Sequence, residues 1–281
     1  MARPRKPLAE VFEGPPAGLD PSLLDPGRIP AHIAVIMDGN GRWAAEHGKQ
    51  RAAGPKAGIR GVRQLIRTSS DLGVDFLTIY SFSTENWSRP RAEVKALMEL
   101  FARTMAAELD GMHEEGVRIR LIGETSELPR RTRETFEDAV EKTRENTGMT
   151  LIIAVNYGSR SEIVEAAREI ARAALRGDLG PEELEALDEQ GFALHLQTTG
   201  MPDPDLLIRT SGEYRLSNFL LYQIAYSELY ITPVLWPDFD RFELCRAVLA
   251  YQGRDRRFGS VSGSGNTEGP LTTAALGSDD D

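Results

Sequence analysis

The segment His32-Ile-Ala-Val-Ile-Met-Asp38-Gly-Asn-Gly-Arg-Trp43 joins an apolar run to a carboxylate and two glycines. An apolar run bounded by turn residues is typical of a buried parallel strand. Asp38 then lies where this strand meets solvent, which is where open α/β sheets bind ligands. Gly39 and Gly41 allow a ligand to approach the backbone closely, and amides that lead into a helix suit phosphate oxygens. With Arg42 as a nearby cation, the segment predicts an anion site.

Apolar runs alternate with helical patterns along the rest of the chain. Strands are predicted near 32–38, 76–82, 117–123, 150–156 and 205–209. Helices are predicted near 55–71, 91–115, 129–146, 160–176 and 240–256. This alternation predicts an α/β fold, a single domain with a mostly parallel central sheet flanked by helices. A segment dense in apolar and aromatic residues, 219–231, predicts a buried helix and strand at the core or at a subunit interface.

The two ends of the chain differ in composition from the part between them. Residues 1–28 are rich in Pro and Gly, and residues 260–281 are polar and end in three aspartates. Both segments are predicted to be disordered. Because no Pro- or Gly-rich linker divides residues 29–259, this part is predicted to be one domain.

Composition excludes several classes of function. The 33 Lys and Arg against 43 Asp and Glu give a net charge of -10, which argues against general affinity for nucleic acid or anionic lipid. Cys245 alone forms no internal disulfide or metal cluster, and no signal peptide or run of about 18 apolar residues occurs. We therefore expect a cytoplasmic protein. Basic residues concentrate between Arg42 and Arg91, which predicts a compact anion such as a phosphate ester.

A dinucleotide-binding site is the first function to weigh. Gly39-Asn-Gly-Arg-Trp-Ala44 formally satisfies the glycine fingerprint of that site. A nicotinamide enzyme needs an acidic residue at the end of its second strand, but Tyr80-Ser-Phe-Ser83 stands there. Asp38 would also repel a pyrophosphate unless Mg²⁺ bridged the two. Since the Walker sequence is absent as well, metal-dependent diphosphate chemistry is favoured over hydride transfer or nucleotide hydrolysis.

Two further polar blocks follow predicted strands. The first, Ser81–Pro90, brings hydroxyls, an amide, an indole and a cation into one loop. Asn86 and Ser88 in it have an alternative role as caps of the helix that begins at Pro90. The second block, 207–218, carries two arginines with Ser and Thr, which can grip a diphosphate through forked hydrogen bonds. Two anion sites in one domain predict two phosphorylated substrates or one ligand with two phosphate groups.

These three blocks together resemble the cis-prenyltransferase family, which includes the bacterial undecaprenyl diphosphate synthases. The resemblance covers residues 29–259, and Met37–Trp43 with Phe82–Trp87 are its most specific motifs. It implies a fold with a hydrophobic tunnel and a Mg²⁺-dependent condensation of isopentenyl diphosphate with an allylic diphosphate, with farnesyl diphosphate as the expected primer. The implied product is a medium- or long-chain Z-polyprenyl diphosphate, the precursor of the lipid carrier for cell-wall synthesis. A short-chain synthase and a non-catalytic partner subunit are the alternatives.

The resemblance also implies roles for individual residues. Asp38 and Asn86 are the implied catalytic residues, and Asp38 and Glu228 the implied Mg²⁺ ligands; Glu228 has the alternative of a salt-bridged structural carboxylate. An amide is a poor base, so we expect Asn86 to orient a proton acceptor. The implied substrate-binding residues are Gly39, Asn40, Gly41, Arg42, Trp43, Arg51, Ser83, Thr84, Glu85, Trp87, Arg89, Arg209, Arg215, Leu216 and Ser217.

This chain departs from the family pattern at two positions. Pro55 and Tyr214 stand where the family usually has His, and a proline offers no side-chain donor, although Lys56 could replace the missing cation. The resemblance further implies a homodimer, with Arg257-Phe-Gly259 reaching toward the partner's site, and a transient membrane contact for product release. The apolar face of the predicted helix at 91–115 is expected to wall the tunnel, with ordinary core as the alternative. Ser81 and Met149 leave room for more than one addition.

Overall fold

The structure, a computed structural model, describes residues 6–254. Six strands form one sheet in the order β3-β4-β2-β1-β5-β6, and every neighbouring pair is parallel. The strands are β1 (His32–Ile36), β2 (Phe76–Ser83), β3 (Arg118–Ile122), β4 (Thr150–Tyr157), β5 (Leu206–Arg209) and β6 (Glu228–Ile231). The predicted α/β fold with a parallel central sheet is confirmed.

Helices cover both faces of this sheet. They are α1 (Leu8–Val11), α2 (Asn40–Glu46), α3 (Ala53–Leu72), α4 (Arg91–Glu114), α5 (Arg130–Thr143), α6 (Ser159–Arg176), α7 (Pro181–Glu185), α8 (Glu189–Ala193) and α9 (Arg241–Gln252). Short 3-10 turns are Pro21–Leu23, Pro26–Arg28, Thr84–Ser88, Thr125–Glu127 and Trp236–Asp238. Every residue of β1 is buried, with Ile33 and Val35 in one core cluster and Ala34 and Ile36 in another. A strand covered on both faces in this way reads as a continuous apolar run.

The strand order places the ends of β1, β2 and β5 side by side. Ile36 is in register with Tyr80 of β2 and with Arg209 of β5. The chain moves from β1 to β2 on one side, whereas β5 is added to β1 on the other side. Such a reversal opens a crevice at the carboxyl ends of the strands, where ligands of open α/β sheets bind. Asp38 and Arg209 therefore meet at this crevice.

The segment 219–231 differs from its prediction. Its strand is present as β6, but residues 219–227 form turns where a helix was predicted. Ser217, Asn218 and Leu220 have φ angles of +51°, +60° and +47°. A right-handed helix excludes such angles, and side chains rarely adopt them. The apolar density predicted the burial of Phe219 and Leu220 correctly, but it carried no information on backbone conformation.

Residues 6–28 contain short helical turns and pack against the core, which the predicted disorder of residues 1–28 did not anticipate. Phe12 is buried and lies beside Phe242 with ring centroids 6.5 Å apart. The Gln252 side chain bonds both backbone groups of Asp25, at 3.0 and 2.9 Å. A few apolar side chains, Phe12 and Leu24 among them, dock on the core despite the Pro and Gly content. The predicted acidic tail, 260–281, and Arg257-Phe-Gly259 lie outside the described residues.

No helix within residues 6–254 combines the length and the apolar content needed to cross a bilayer.

Candidate active site

A cavity of about 710 Å³ opens at the carboxyl edge of the sheet and runs between α3 and α4. Its mouth is polar, and its interior is lined by Val62, Ile66, Ile79, Leu97, Leu100, Phe101, Met105, Met112, Phe136, Leu151 and Ile153. The apolar face of α4 was predicted either to wall the tunnel or to belong to the ordinary core, and it does both. Leu97, Phe101 and Met105 line the cavity, whereas Val94 and Met98 belong to the ordinary core outside it. We call the apolar part of the cavity the tunnel.

Ion pairs between α3 and α4 flank the tunnel. Arg63 Nη2 lies 2.5 Å from Glu108 Oε1, and Arg67 Nε lies 3.6 Å from Glu115 Oε1. All four residues contribute to the cavity wall. Ser81 lines the cavity as well, but Met149 is buried away from it. The tunnel wall on this side is therefore formed by side chains of two helices.

Asp38 is fixed just beyond β1 by its neighbours. Its Oδ1 accepts a hydrogen bond from the Gly39 amide at 2.7 Å, and its own amide donates to Thr210 Oγ1 at 2.8 Å. Gly39 has a φ of +101°, and a Cβ there would lie 2.9 Å from both Leu235 Cδ2 and Ser211 Cβ. The tight turn after the strand consequently requires glycine. The first amides of α2 have no partners within the helix, and Asn40 and Gly41, which begin it, line the cavity.

Three arginines and two carboxylates alternate at the mouth, in the order Arg42, Glu213, Arg215, Asp38, Arg209. The last three line the cavity, and Arg42 and Glu213 lie beside it. Arg42 Nη2 donates to Glu213 Oε1 at 2.8 Å, and Arg215 Nη1 donates to Glu213 Oε2. Arg215 Nη2 lies 3.7 Å from Asp38 Oδ2, and Arg209 Nη2 donates to the same oxygen at 2.7 Å. We call this arrangement the alternating chain. Its surplus of one cation makes it suited to a further anion.

Arg209 anchors the inner end of the alternating chain. Its side chain is only 2% exposed, so its charge depends on nearby acceptors. Besides Asp38, it donates to Ser217 Oγ at 2.8 Å and to the Arg215 carbonyl. The loop that carries these acceptors is strained, because Ser211 and Ser217 have positive φ angles. Backbone strain of this kind is concentrated at binding and catalytic sites.

Arg51 and Arg89 form a second cationic group in the lining of the same cavity. Arg51 Nε and Arg89 Nη1 share Glu93 Oε1, at 3.3 and 3.1 Å. Asn86 lines the same cavity, and its Oδ1 accepts a hydrogen bond from the Ser83 amide at 3.1 Å. Asn86 thus caps its own turn, whereas α4 begins at Arg91, after the N-cap residue Pro90, without a side-chain cap. The capping alternative for α4 is therefore wrong, and the Asn86 amide group remains near the cavity.

Glu85 keeps its negative charge at the same mouth. Burial raises the pKa of its carboxyl, but hydrogen bonds from Asn218, Ser83 and Thr84 outweigh this effect. The pKa of Glu85 therefore lies below its ordinary value. Asn218 Nδ2 donates to Glu85 Oε1 at 2.9 Å. The two polar loops that follow β2 and β5 are thereby joined across the sheet edge.

Most of the predicted site residues line the cavity: Asp38, Gly39, Asn40, Gly41, Arg51, Ser83, Glu85, Asn86, Arg89, Arg209, Arg215 and Ser217. Arg42 does not line it but reaches its edge through Glu213. Thr84 is beside it, bonded to Glu85.

Three predicted binding residues point elsewhere. Trp43 donates to Asp238 Oδ1 at 2.9 Å and stacks on His47. Trp87 donates to Asn156 Oδ1 at 2.7 Å, and Leu216 packs against a core cluster. Within this chain, all three act as supports of the loops and not as part of the cavity wall. Their sequence motifs identified the loops correctly but could not indicate which side chains turn inward.

Glu228 does not join Asp38 within one chain. It begins β6 in register with Leu206, at the amino edge of the sheet, whereas Asp38 lies at the carboxyl edge. Its Oε2 accepts a hydrogen bond from Arg254 Nη1 at 2.6 Å. The predicted pair of metal ligands therefore does not hold within a single chain, and the salt-bridged alternative describes what the structure shows. The prediction failed because the motif does not encode the position of β6 in the sheet.

Asp38 by itself still fits a magnesium site. No group of three or more His, Cys, Asp and Glu within residues 6–254 could hold a metal ion. Mg²⁺, however, is commonly bound by one or two carboxylates together with substrate phosphates and water. The Asp38 carboxyl, about one-third exposed at 32%, lies at the mouth among arginines that would hold such phosphates.

Sequence reasoning missed Glu213, Glu93 and Ser211. Glu213 stands between Arg209 and Arg215 in the sequence, and Glu93 follows Arg89 by one helical turn, so charge spacing was an available signal. Ser211 Oγ accepts a hydrogen bond from Arg42 at 2.7 Å, a contact that no local pattern indicates. Pro55 lines the cavity, so this departure from the family falls within the site. Lys56 is exposed and does not line it.

Comparisons with known proteins agree with this geometry. Residues 36–259 match the prenyltransferase model that describes undecaprenyl diphosphate synthases. An isoprenyl transferase of Heliobacterium mobile is 52% identical over 238 residues, 85% of this chain and 90% of that protein. One from Geobacillus kaustophilus is 50% identical over 234 residues, 83% of this chain and 90% of that protein.

Two solved structures share the fold. Lavandulyl diphosphate synthase from Lavandula x intermedia, in complex with dimethylallyl diphosphate, has a TM-score of 0.80 and 37% identity. The match covers 83% of this chain and 100% of that one. A probable undecaprenyl diphosphate synthase from Campylobacter jejuni has a TM-score of 0.67 and 30% identity, over 82% and 99% of the two chains.

Proposed function

Because this chain belongs to the cis-prenyltransferase family, we propose that it extends an allylic diphosphate with isopentenyl diphosphate, adding several units in Z configuration. The observation that carries the proposal is that Asp38, Arg209, Arg215, Arg51 and Arg89 line one cavity whose interior is an apolar tunnel. Farnesyl diphosphate is the proposed primer. The proposed product is a medium- or long-chain polyprenyl diphosphate, the precursor of a lipid carrier for cell-wall synthesis.

The substrates are divided between two sets of arginines, and Arg42 of the alternating chain is grouped with Arg51 and Arg89. Arg42, Arg51 and Arg89 with the amides of the α2 turn would hold the allylic diphosphate, whose hydrocarbon part enters the tunnel. Arg209, Arg215 and Ser217 would hold isopentenyl diphosphate. Forked guanidinium contacts suit both diphosphates. The double bond of isopentenyl diphosphate is thereby directed at the carbon that the leaving diphosphate vacates.

Charge stabilisation is the main task of the protein in this reaction. When the allylic C–O bond breaks, the electron pair leaves with the diphosphate, and arginines fixed beforehand stabilise the developing charge. Asp38 is the residue that would hold Mg²⁺, which when bound would supply further positive charge to the leaving group. After the new C–C bond forms, a proton must leave the isopentenyl carbon. The Asn86 amide, at the mouth, would orient the accepting diphosphate oxygen.

Tunnel length favours a product of several units. The cavity lining follows α4 from Glu93 at the mouth past Met112. At 1.5 Å per residue, the 19 steps between these two residues span about 28 Å. The hydrocarbon core of a bilayer, two acyl chains end to end, is about 30 Å thick. A chain much longer than a farnesyl group therefore fits.

Product analysis tests this proposal. Purified protein is incubated with Mg²⁺, isopentenyl diphosphate and primers of different length, and the products are sized by mass spectrometry. We expect a series of additions to farnesyl diphosphate. A single added unit would instead identify a short-chain synthase. Asp38→Ala should abolish turnover. The control is Asp138→Ala, which removes an exposed carboxylate on α5 and should leave turnover unchanged. Near-normal turnover of Asp38→Ala would refute the proposed site.

We further propose a cytoplasmic homodimer with a transient membrane contact for release of its apolar product. The support for a dimer is that β6 is a sheet edge with Leu229 43% exposed, since such an edge is normally covered. Light scattering during gel filtration should give twice the mass of the chain, and a fully active monomer would contradict this. Sedimentation with vesicles during turnover tests the membrane contact.

A further inference from the structure

We propose that Glu213 is a resident counter-ion of the two diphosphate sites, which competes with diphosphate for Arg42 and Arg215 and so promotes product release. This inference rests on the proposed function, because it takes the two arginines to belong to the allylic and isopentenyl sites. Glu213 is thus a positioning residue that acts through the arginines. The ligand it opposes is inorganic diphosphate, the product that each condensation leaves behind.

The geometry of the Glu213 carboxylate carries the proposal. Its Oε1 accepts from Arg42 Nη2 at 2.8 Å, and its Oε2 accepts from Arg215 Nη1. One carboxylate therefore bridges an arginine of each site, as a diphosphate oxygen would. It separates two like charges and holds both guanidinium groups in place.

The backbone around Glu213 keeps the carboxylate there. The Ser211 amide donates to the Val234 carbonyl and the Gly212 amide to the Thr232 carbonyl, each at 2.8 Å. Ser211 and Gly212 have φ angles of +73° and +70°, so the turn is sharp. These bonds tie the loop to the chain that follows β6. Glu213 is consequently positioned by the fold and stays close when a ligand displaces its side chain.

Exposure distinguishes Glu213 from the other carboxylate of the alternating chain. Asp38 neutralises Arg209, whose buried guanidinium would be strongly destabilised by the loss of this partner. The arginines on Glu213 are about half exposed, at 48% and 60% of their side chains. Their ion pairs are individually weak and exchange partners readily. A diphosphate can therefore displace Glu213, and Glu213 can recapture both arginines as diphosphate leaves.

The test compares Glu213→Gln with wild type, using inorganic pyrophosphate as the probe. Without the competing charge, we expect pyrophosphate to bind about 3- to 20-fold more tightly, the combined effect of two exposed ion pairs. Calorimetric titration gives the dissociation constant, and product inhibition gives a second value. We also expect kcat to fall together with KM for isopentenyl diphosphate, a pattern that a loss of folding does not produce.

Two further variants keep the test decisive. Glu165 bridges Arg168 and Arg172 on the exposed face of α6, and no residue of α6 lines the cavity. Glu165→Gln therefore removes a matched carboxylate outside the site and should leave pyrophosphate binding unchanged. Glu213→Asp shortens the side chain so that it cannot reach both arginines, and it should also tighten binding. If Glu213→Gln does not fold, Glu213→Asp decides.

The outcomes separate this inference from the proposed function. If wild type binds neither pyrophosphate nor isopentenyl diphosphate, the proposed function fails. If wild type binds both and the folded Glu213 variants bind pyrophosphate equally or more weakly, only the counter-ion role is overturned. Weaker binding would mean that Glu213 orders the arginines without competing for them.

Discussion

Removal of the Asp38 carboxylate should reduce stability as well as activity. Arg209 is 2% exposed, and its Nη2 lies 2.7 Å from Asp38 Oδ2. In Asp38→Ala the guanidinium keeps only Ser217 Oγ and the Arg215 carbonyl as acceptors. Breaking a fully buried pair from one side costs about 3–5 kcal/mol. Because Asp38 itself is partly exposed, we expect the free energy of unfolding to fall by about 2 kcal/mol.

Urea denaturation and thermal melting measure this loss. A change of about 2 kcal/mol corresponds to a melting temperature lowered by about 4–8 °C in a chain of this size. Asp38→Ala combined with Arg209→Met removes both charges, so it should recover most of the stability but none of the activity. Asp138→Ala is the control. If Asp38→Ala has wild-type stability, Arg209 does not depend on Asp38 and the reasoning about the alternating chain is refuted.

Three other predictions address the turn, the tunnel and the sheet. Gly39→Ala should lower the free energy of unfolding by about 1–3 kcal/mol and remove most activity. Gly177→Ala is the control, because Gly177 has a φ of +76° and no atom within 4 Å of an added Cβ, so it shows the backbone effect without a clash. Equal losses of stability in urea would contradict the steric argument. Phe136→Ala deepens the tunnel, so mass spectrometry should show longer products; an unchanged distribution would place the limit elsewhere. Burial lowers the pKa of His32 from 6.5 to about 4. The neutral ring therefore contributes stability that is present above pH 6.5 and is lost as pH falls towards 4, by up to about 1.4 kcal/mol per pH unit. His32→Gln should flatten this dependence and exposed His113→Gln should not; melting curves at several pH values decide.

The sequence predicted the parts of the site that depend on local pattern. The apolar run of β1 and the carboxylate after it identify a sheet edge, because burial on both faces and a ligand at the strand end follow from the pattern itself. Arg209 follows the same logic on β5. Glu213 could have been found from its place between two arginines.

Long-range packing explains what the sequence could not predict. Glu228 resembles a metal ligand by motif, but strand order and register place it at the opposite edge from Asp38. Phe12 lies in a Pro- and Gly-rich segment whose average composition hides a few docking side chains. The motifs of Trp43 and Trp87 identified the correct loops, but the two indole groups donate hydrogen bonds to Asp238 and Asn156 and do not line the cavity. Side-chain direction within a loop depends on partners far away in the chain.

The contact between Asp38 and Arg209 joins residues 171 positions apart. At about 5–20 residues per second, the ribosome needs on the order of 10 s or more to make the second residue after the first. During that interval β1 to β4 can be complete and Arg42, Arg51 and Arg89 of the allylic site are present, but the isopentenyl site is missing because Arg209 and Arg215 have not yet been synthesised. A nascent or truncated chain that ends before β5 therefore carries the tunnel wall and one set of arginines without the second substrate site. The ability to condense two substrates is consequently a property that the chain acquires only late in its biogenesis.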